Sequence, residues 1–373
     1  MPVPVNEYEA ISRQMLALYD EAELVMLRRV VKRLLRGIDS PGWTEQKYAE
    51  ISDVRRQLSA TLESLAKERS RIASGAVETA YQGAAKWCFA DAQEYAASAG
   101  VSHISPSAAK AADILADLNM KLDAAGRLIL RQADDAYADA IGQSAALMAT
   151  GTITAREAVQ RAVTALADRG IASFTDSAGR CWQMGTYAEM AVLTAISRAT
   201  IAGYTDTMAS YGYDLAIISS HEDACPICAA WQGVVVSVSG GDRRHLSLDD
   251  ARAAGVFHPR CLHHLSIYRE GITHGEARNR PRAVQEPEAG YTARSRQRYC
   301  ERQIRRYKRR QAAATSPKEE RRAKAYVARW QQEARRVTQD APTALIRHYD
   351  REGGAVRLSE AAKKRKPVRL DPL

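Results

Sequence analysis

Apolar residues recur every three to four positions through most of the first 150 residues, a spacing that places them on one face of an α-helix. In the first run, Leu16, Leu24 and Val31 follow this spacing, and Gly37 stands where the helix is expected to end. Breaks containing Pro or Gly separate the runs. Three long helical runs are therefore predicted, over about residues 6–36, 44–98 and 108–150.

Two capping boxes mark the start of the next two predicted helices. Thr154 with Glu157, and Thr186 with Glu189, each place a Glu three positions after a small hydroxyl residue. The hydroxyl and the carboxylate can then satisfy backbone N–H groups at a helix N-terminus. The second of these helices is predicted to end at Gly212, which can adopt the left-handed conformation that closes a helix.

Two short β-rich segments, 215–219 and 234–238, flank Cys225 and Cys228. We expect them to form a small hairpin that presents the two cysteines on a tight turn. Residues 248–254 are predicted to form one or two helical turns that lead to His258.

The C-terminal region has two narrow apolar seams on otherwise polar helices. The first helix is predicted over about 291–310, with the seam Cys300, Ile304, Tyr307 and Gln311. Ser316, Pro317 and Glu319 give a strong signal for the start of a second helix. Its seam comprises Ala323, Val327, Trp330, Ala334 and Val337. The two seams are expected either to pair as a helical hairpin or to dock on a partner.

Charge distinguishes this C-terminal region from the rest of the chain. Residues 276–373 carry 27 Lys+Arg and 12 Asp+Glu, a net charge of +15, whereas the whole chain carries +10. The remainder is therefore slightly acidic, and the basic region is expected to contact a polyanion or an acidic protein surface. Six residues are predicted to bind nucleic acid: Arg302, Arg305, Arg306, Lys308, Arg309 and Arg310.

Length and cysteine usage narrow the class of protein. A chain of 373 residues suits two or three domains. Cys88, Cys181 and Cys300 are scattered singly along the chain, which is typical of a reducing compartment rather than a disulfide framework. No run of eighteen apolar residues occurs, so no membrane span is predicted.

Cys225-Pro226-Ile227-Cys228 and a second knuckle around Cys261 have the spacing of a zinc site. The turn aims two sulfurs at one point, and the second knuckle adds Cys261 and one imidazole. We predict a structural zinc held by Cys225, Cys228, Cys261 and His263, with His258 as the alternative fourth ligand. The other interpretation is a small core of reduced cysteines with the histidines on its surface.

These patterns together predict a mainly α protein. It should contain long N-terminal helices, a small zinc-stapled α/β unit and basic C-terminal helices. The predicted division is an N-terminal helical region 1–150, a core with the zinc knuckles 151–272, a linker 273–292 and a basic helical arm 293–373.

Several spaced motifs between about 165 and 270 resemble the phage minor capsid protein 2 family, which is related to Mu-type head morphogenesis proteins. The matching positions are Asp176, Gly179, Arg180, Trp182, 187–190, 212–215, 219–228, 231–233 and 257–263. The resemblance continues into the family's basic tail at Arg302, Ile304, Arg305, Lys308, Trp330, Gln331, Arg351 and Glu352. Residues 193–195 and Leu262 depart from the family pattern, which weakens any polar role of that helix face and any anion contact at residue 262.

The resemblance implies a minor component of the virion near the portal, assembled in the host cytoplasm, that acts in head assembly or travels with the DNA. Its implied partners are the portal and other head proteins. The charge of the basic arm, and not the resemblance, predicts that the arm also binds DNA without sequence preference. Neither a small-molecule substrate nor a membrane is expected. The protein would then be a non-enzymatic structural component.

Enzymatic and regulatory functions are the alternatives. A zinc deaminase needs His-x-Glu before its Cys-x-x-Cys pair, and a zinc hydrolase needs His-Glu-x-x-His; neither pattern occurs. A treble-clef-like nuclease or another phage-encoded DNA-acting enzyme stays open, with His221, His245 or His264 as the base. No helix-turn-helix spacing supports a transcription regulator.

Overall fold

The computed structural model describes residues 5–95, 109–273, 277–284, 289–341 and 345–353, with side chains described from residue 9. The predicted break at 105–107 and the part of the predicted arm beyond residue 353 lie outside these ranges. Most of the described residues are helical, which confirms the prediction of a mainly α fold.

The predicted N-terminal runs form four helices: α1 (Val5–Leu35), α2 (Trp43–Ala49), α3 (Ile51–Tyr95) and α4 (Ala109–Ala149). The first helix ends as expected, and Gly37 takes a positive φ of 68°. The second run divides at Glu50, which caps α2. Gly75 and Gly83 lie within α3 and do not interrupt it, because tertiary packing outweighs the cost of glycine in a helix.

The capping box of α5 (Ala155–Arg169) forms as predicted. The Glu157 N–H donates to the Thr154 hydroxyl at 3.2 Å, and the Thr154 N–H donates to the Glu157 carboxylate at 2.9 Å. Both ends of the sequence signature are therefore satisfied by the local hydrogen bonds that define it.

The second predicted capping box is wrong. Strand β1 (Ser173–Thr175) pairs antiparallel with β2 (Cys181–Gln183), and the chain enters α6 (Met184–Ser210) directly, two residues before Thr186. Glu189 therefore lies inside the helix with a side chain only 1% exposed. It pairs with arginines from other segments and does not cap the helix N-terminus.

Helix α6 is buried on several sides, because α1, α3 and α4 all pack against it. The closest approach is between Gly203 of α6 and Tyr81 of α3. A Cβ atom at residue 203 would lie 2.2 Å from the Tyr81 carbonyl oxygen. A residue without a side chain is therefore required where these two helices cross.

A four-stranded sheet in the order β5-β4-β3-β6 packs against one end of α3 and α6. Its strands are β3 (Leu215–Ile218), β4 (Val235–Ser237), β5 (Leu246–Ser247) and β6 (Leu265–Ile267), with helices α7 (Pro226–Trp231) and α8 (Leu248–Ala253) in the connections. The predicted hairpin is confirmed, since Ala216 of β3 pairs antiparallel with Val236 of β4. Helix α8 confirms the predicted helical turns before His258.

The C-terminal hairpin consists of α9 (Ala289–Ala312) and α10 (Pro317–Gln339), which pack together along the two predicted seams. Tyr307 stacks on Tyr326 with ring centroids 4.5 Å apart. The pairing of the seams within the chain confirms the hairpin alternative. A 3-10 turn (Tyr349–Glu352) then crosses α9 and α1.

The predicted linker 273–292 is partly attached to the small sheet unit. Arg278 donates its backbone N–H to the Gly233 carbonyl and accepts from the Val235 N–H, both at 2.8 Å. Helix α9 already begins within the predicted linker, at Ala289.

Gly203→Ala should lower the free energy of unfolding by about 1–3 kcal/mol, because the new methyl group would force α3 and α6 apart. Gly126→Ala in α4 is the matched control, since a Cβ there meets no atom within 4 Å. We expect it to be neutral or to stabilise by roughly 0.5–1 kcal/mol. Chemical denaturation measures both variants, and equal stability for the two would contradict the close approach.

Candidate metal centre

The first knuckle is positioned by the start of α7. Cys225 caps this short helix, and its Sγ accepts the Cys228 N–H at 3.4 Å. Pro226 at the first helical position has no N–H to satisfy and fixes the backbone there. The two sulfurs therefore face the same side of the turn, as the sequence pattern predicted.

The second knuckle follows α8 through two residues with positive φ, Phe257 at 60° and Arg260 at 69°. This tight backbone reverses the chain, with the Cys261 N–H donating to the His258 carbonyl at 2.9 Å. Cys261 and His258 are thereby turned towards the first knuckle.

All five predicted metal residues come together. Two groups have metal-ligating atoms within 4.8 Å of one another, and both contain Cys228: one adds Cys225 and His258, and the other adds Cys261 and His263. The Cys228 and Cys261 sulfurs are 3.6 Å apart, close to the roughly 3.8 Å expected across a tetrahedral zinc with bonds of about 2.3 Å. The donor types and this sulfur–sulfur distance suit zinc, and Cys228 joins the two groups.

Hydrogen bonds distinguish the two histidines. His258 Nδ1 lies 2.8 Å from the Pro259 carbonyl, which can only accept, so Nδ1 carries the proton. Its other nitrogen, Nε2, keeps a lone pair and lies 3.0 Å from Cys225 Sγ. His258 is thus in the tautomer that a metal ligand requires, with its outer nitrogen fixed by a carbonyl.

His263 has the opposite arrangement. The Gln232 amide nitrogen donates to the His221 carbonyl at 2.7 Å, which fixes the orientation of that amide. The same NH₂ group faces His263 Nε2 at 3.4 Å, so Nε2 accepts and the proton of the neutral ring is on Nδ1. That N–H lies 3.3 Å from Cys261 Sγ and 3.2 Å from His221 Nε2, so it can donate to the thiolate or to the second imidazole.

The buried sulfurs favour a thiolate in the cluster. The Cys228 thiol donates a hydrogen bond to Cys261 and lowers the pKa of the Cys261 thiol, with His263 adding to this effect against the opposing effect of burial. Because thiolate is the form that binds metal, the cluster is suited to metal binding before any ion arrives.

Of the three histidines considered as catalytic bases, only His221 contacts the cluster. Its Nδ1 pairs with Asp223 at 2.7 Å and its Nε2 faces His263 at 3.2 Å, so both nitrogens are engaged. His245 lies near Asp242 instead. His264 is neutral, since burial lowers the pKa of its ring to about 4.

A buried network of charged side chains joins this knuckle to the rest of the protein. Arg260, from the second knuckle, donates to the Glu189 carboxylate at 3.0 Å. Arg351, from the 3-10 turn, binds the other Glu189 oxygen at 2.5 Å and Glu301 of α9 at 2.9 Å. Arg351 is 2% exposed, so these ion pairs form in the interior, where an unpaired charge is costly.

The network continues along α9 into α1. Arg298 contacts both Glu301 and Glu9 at 3.2 Å, and Arg294 contacts Glu9 at 3.1 Å. Arg294 also pairs with Asp223, beside the first knuckle. The sheet unit, α1, α6 and α9 are therefore connected by one set of ion pairs.

The structure places two of the six predicted nucleic-acid-binding residues in this interior. Arg305 is 5% exposed, lies 3.4 Å from Asp20 and donates to the Arg351 carbonyl at 2.6 Å. Arg309 is 2% exposed and lies 3.7 Å from Glu23. Both side chains therefore lie in the interior, paired with buried acids of α1, and not in solvent around the apolar seam.

The other four predicted residues are at the edges of α9. Arg306 and Arg310 both form two hydrogen bonds with Asp168 of α5, at 2.5–2.9 Å. Burial alone would raise the pKa of Asp168, but the two guanidinium groups hold it at about 2. Lys308 donates to a backbone carbonyl after the 3-10 turn, and Arg302 is exposed.

The acidic half of this network was missed by sequence reasoning, although a signal was present. Asp20 lies four residues after Leu16 and four before Leu24, so it falls on the apolar stripe of α1. A carboxylate on a buried stripe needs a buried cation as its partner, and the arginines of α9 could supply that cation. The acids concerned are Glu9, Asp20, Glu23, Asp168 and Glu189.

The knuckles, the central helix and the hairpin lie in the order that the resemblance implied, and the comparisons with known proteins agree. The family described as phage minor capsid protein 2 matches residues 6–339. The chain belongs to this family. Membership of this family makes it a structural component of a virion, which confirms the predicted virion localisation.

One curated relative of this chain is named a structural protein of Lactococcus phage LL-H. It is 32% identical over 193 residues, which cover 48% of this chain and 50% of that protein. The chain thus spans about half the length of that relative. No solved structure matches the chain. None of the helices that the structure describes has the length and apolar character needed to cross a membrane.

The buried network gives a prediction for the pH dependence of stability. Burial raises the pKa of Glu301 to about 7, although Arg298 and Arg305 oppose this. A carboxyl whose pKa is higher in the folded state stabilises the fold at low pH, and this contribution is lost as the pH rises through about 7. Glu301→Gln should therefore flatten the decline in unfolding free energy between about pH 5 and 8.

Glu333→Gln is the control for this measurement. Hydrogen bonds from Arg336 and Arg296 lower the pKa of Glu333 to about 2, outside that pH range. Denaturation at several pH values should give this variant the slope of the wild-type protein. A Glu301→Gln variant with the wild-type slope would contradict the predicted titration.

Proposed function

We propose that this protein is a non-enzymatic component of a phage head, in which a structural zinc fixes the small sheet unit and a basic hairpin faces a partner inside the particle. The proposal depends on the absence of a free base at the cluster. Besides the five candidate ligands, His221 contacts the cluster, and its Nδ1 and Nε2 atoms already have partners. A nuclease base would need a nitrogen free to accept a proton from water. At the cluster the runner-up, a treble-clef-like nuclease, lacks such a group, because the Nδ1 and Nε2 atoms of His221 already have partners.

Zinc is the proposed metal, with Cys225, Cys228, Cys261 and His258 as ligands. Sulfur and imidazole in a tetrahedral arrangement are the donors that zinc favours. His263 then hydrogen-bonds the Cys261 thiolate and is not itself a ligand. This replaces the sequence prediction, in which His263 was the fourth ligand and His258 the alternative. Bound zinc supplies a cross-link between the two knuckles, and the closed shell leaves no position for a substrate.

The proposed partners are the portal and other head proteins, together with DNA. Two sets of ion pairs support this proposal. Asp168 of α5 pairs with arginines of α9, and Glu301 of α9 pairs with Arg351 of the 3-10 turn, so α9 is held in a fixed position. The hairpin therefore presents its outer surface as part of a rigid body. That surface, and not the paired arginines of α9, is available to a partner.

The zinc proposal makes separate predictions for the two histidines. His258→Ala and Cys228→Ser should both lose most bound zinc, whereas His263→Ala should keep zinc with a weaker affinity, about 10–100-fold by analogy with other groups that hydrogen-bond metal ligands. Cys88→Ser, a buried cysteine outside the cluster, is the control and should keep full occupancy. Metal analysis of the purified proteins is the measurement.

Full zinc occupancy in Cys228→Ser, or no zinc in the wild-type protein, would overturn the site. Zinc loss from His263→Ala but not from His258→Ala would restore the sequence prediction that His263 is the fourth ligand. Structural zinc can contribute roughly 10–16 kcal/mol of binding free energy to folding, so chelation should expose 215–267 to exchange while α4 stays protected.

The location inside the particle has its own test. In cross-linking of purified virions, Lys318 and Lys324 on the outer surface of α10 should link to the portal or to another head protein close to it. A matched lysine on the body, Lys67 of α3, reports on the opposite possibility that the body faces the partner. Absence of the protein from purified virions, or cleavage of DNA by the purified protein that His221→Ala abolishes, would contradict the proposed function.

A further inference from the structure

We propose that the outer face of α10, together with the adjoining edge of α5, binds the phosphate backbone of duplex DNA without reading its sequence. This inference rests on the proposed function, since it names the surface and the partner chemistry of the basic hairpin. The sequence predicted this role for the whole basic arm and named six residues that all lie in α9. The structure favours α10 within that arm.

The outer face of α10 is a continuous row of cations. Its exposed basic residues are Lys318, Arg321, Arg322, Lys324, Arg329, Arg335 and Arg336. Arg336 pairs with Glu333, but the other six form neither an ion pair nor a side-chain hydrogen bond with any residue that the structure describes. Within α10, Glu320 is the one exposed acid. The row therefore retains nearly its full positive charge.

The contrast with α9 assigns the role to α10. The guanidinium groups of Arg305, Arg306, Arg309 and Arg310 are within 4 Å of carboxylates of the body. Binding DNA through them would require breaking these pairs. For Arg305 and Arg309 it would leave the buried acids Asp20 and Glu23 uncompensated, which costs several kcal/mol for each buried charge. The α10 cations can meet phosphates at no such cost.

A groove extends the basic surface onto α5. It has a volume of about 620 Å³ and lies between α5 and the hairpin, with the stacked Tyr307 and Tyr326 in its wall. The exposed cations Arg156 and Arg161 of α5 and Arg322 of α10 line this groove, together with the carboxylates of Glu157 and Glu319. Lysine and arginine side chains from both α5 and α10 can therefore reach a phosphate backbone that runs along the groove.

The chemistry of the face favours a phosphate backbone over an acidic protein. The exposed uncharged side chains between the cations are small or polar: Pro317, Ala325, Ala328, Gln332 and Gln339. Protein interfaces depend on buried aromatic or large apolar side chains at their centre, and this face has none. Phosphate binding needs only positive charge at suitable spacing.

The dimensions also fit. From Lys318 to Arg335 the helix rises roughly 26 Å, at about 1.5 Å per residue, which is a large part of one turn of duplex. Each phosphate that a cation neutralises releases counterions, so the logarithm of the affinity should fall with the logarithm of salt by roughly 0.9 for each contact. Six unpaired cations therefore predict a steep salt dependence.

The test compares two variants that remove the same charge from different faces of the full chain. The first changes Arg321, Arg322, Lys324 and Arg329 to Gln. The matched control changes four exposed cations of α1 and α3 to Gln: Arg28, Arg29, Lys32 and Lys67. Binding to a short labelled DNA duplex of scrambled sequence is measured by fluorescence anisotropy over a series of salt concentrations, with circular dichroism as the check on folding.

The α10 variant should lose at least tenfold in affinity at low salt, and its salt slope should be shallower by roughly 3–4, or about 0.9 for each cation removed. The control variant should keep the wild-type affinity and slope, and a second duplex of unrelated sequence should compete equally well. Wild-type binding by the α10 variant, or an equal loss in the control, would overturn the inference.

Virions distinguish this failure from failure of the proposed function. If the α10 variant binds DNA like the wild-type protein but loses the cross-link of Lys318, which it retains, to a head protein in purified particles, the face docks on protein. The DNA inference is then wrong, while the structural role in the head stands. If the wild-type chain is absent from particles, the proposed function itself fails, whatever the DNA measurement shows.

Discussion

The Arg351 guanidinium, held between the carboxylates of Glu189 and Glu301, is the interaction on which the arrangement of this protein depends. It brings together the 3-10 turn, the central helix α6 and the basic helix α9. Glu189 binds Arg260 at the same time, and Arg260 belongs to the second metal knuckle. Four segments far apart in sequence thus meet at one buried pair of carboxylates, and removing Arg351 would leave Glu189 and Glu301 with one cation fewer in the interior.

This constraint explains why the metal centre and the basic hairpin act as parts of one body. The positive φ of Arg260 turns the second knuckle so that Cys261 faces the metal cluster while the Arg260 guanidinium reaches Glu189. Zinc would fix the knuckle locally, and the ion pairs fix it against α6 and α9. Arg305 and Arg309 of α9 pair with buried carboxylates of α1, so their charges do not face a partner. The exposed row of cations lies on α10.

Much of the fold could be predicted from the sequence, because it depends on local patterns. The long helices follow from the apolar spacing, the hairpin from two short β-rich segments, and the cluster from the Cys-x-x-Cys turn. The buried ion pairs could not be predicted in the same way. Glu189 fits a capping box equally well, and only the entry of β2 into α6 shows that it lies inside the helix. Likewise, Arg305 and Arg309 look like a solvated face until Asp20 and Glu23 are placed opposite them.

A double-mutant cycle on Arg351 and Glu189 tests the central claim, that buried ion pairs lock the hairpin to the body. Arg351→Met and Glu189→Gln should each lower the free energy of unfolding by about 3–5 kcal/mol, because each leaves the buried charges of the network unbalanced. The double variant should lose less than the sum, with a coupling energy of about 1.5 kcal/mol or more. Losses that add to within about 0.5 kcal/mol would show that the two side chains do not stabilise each other and would contradict the account.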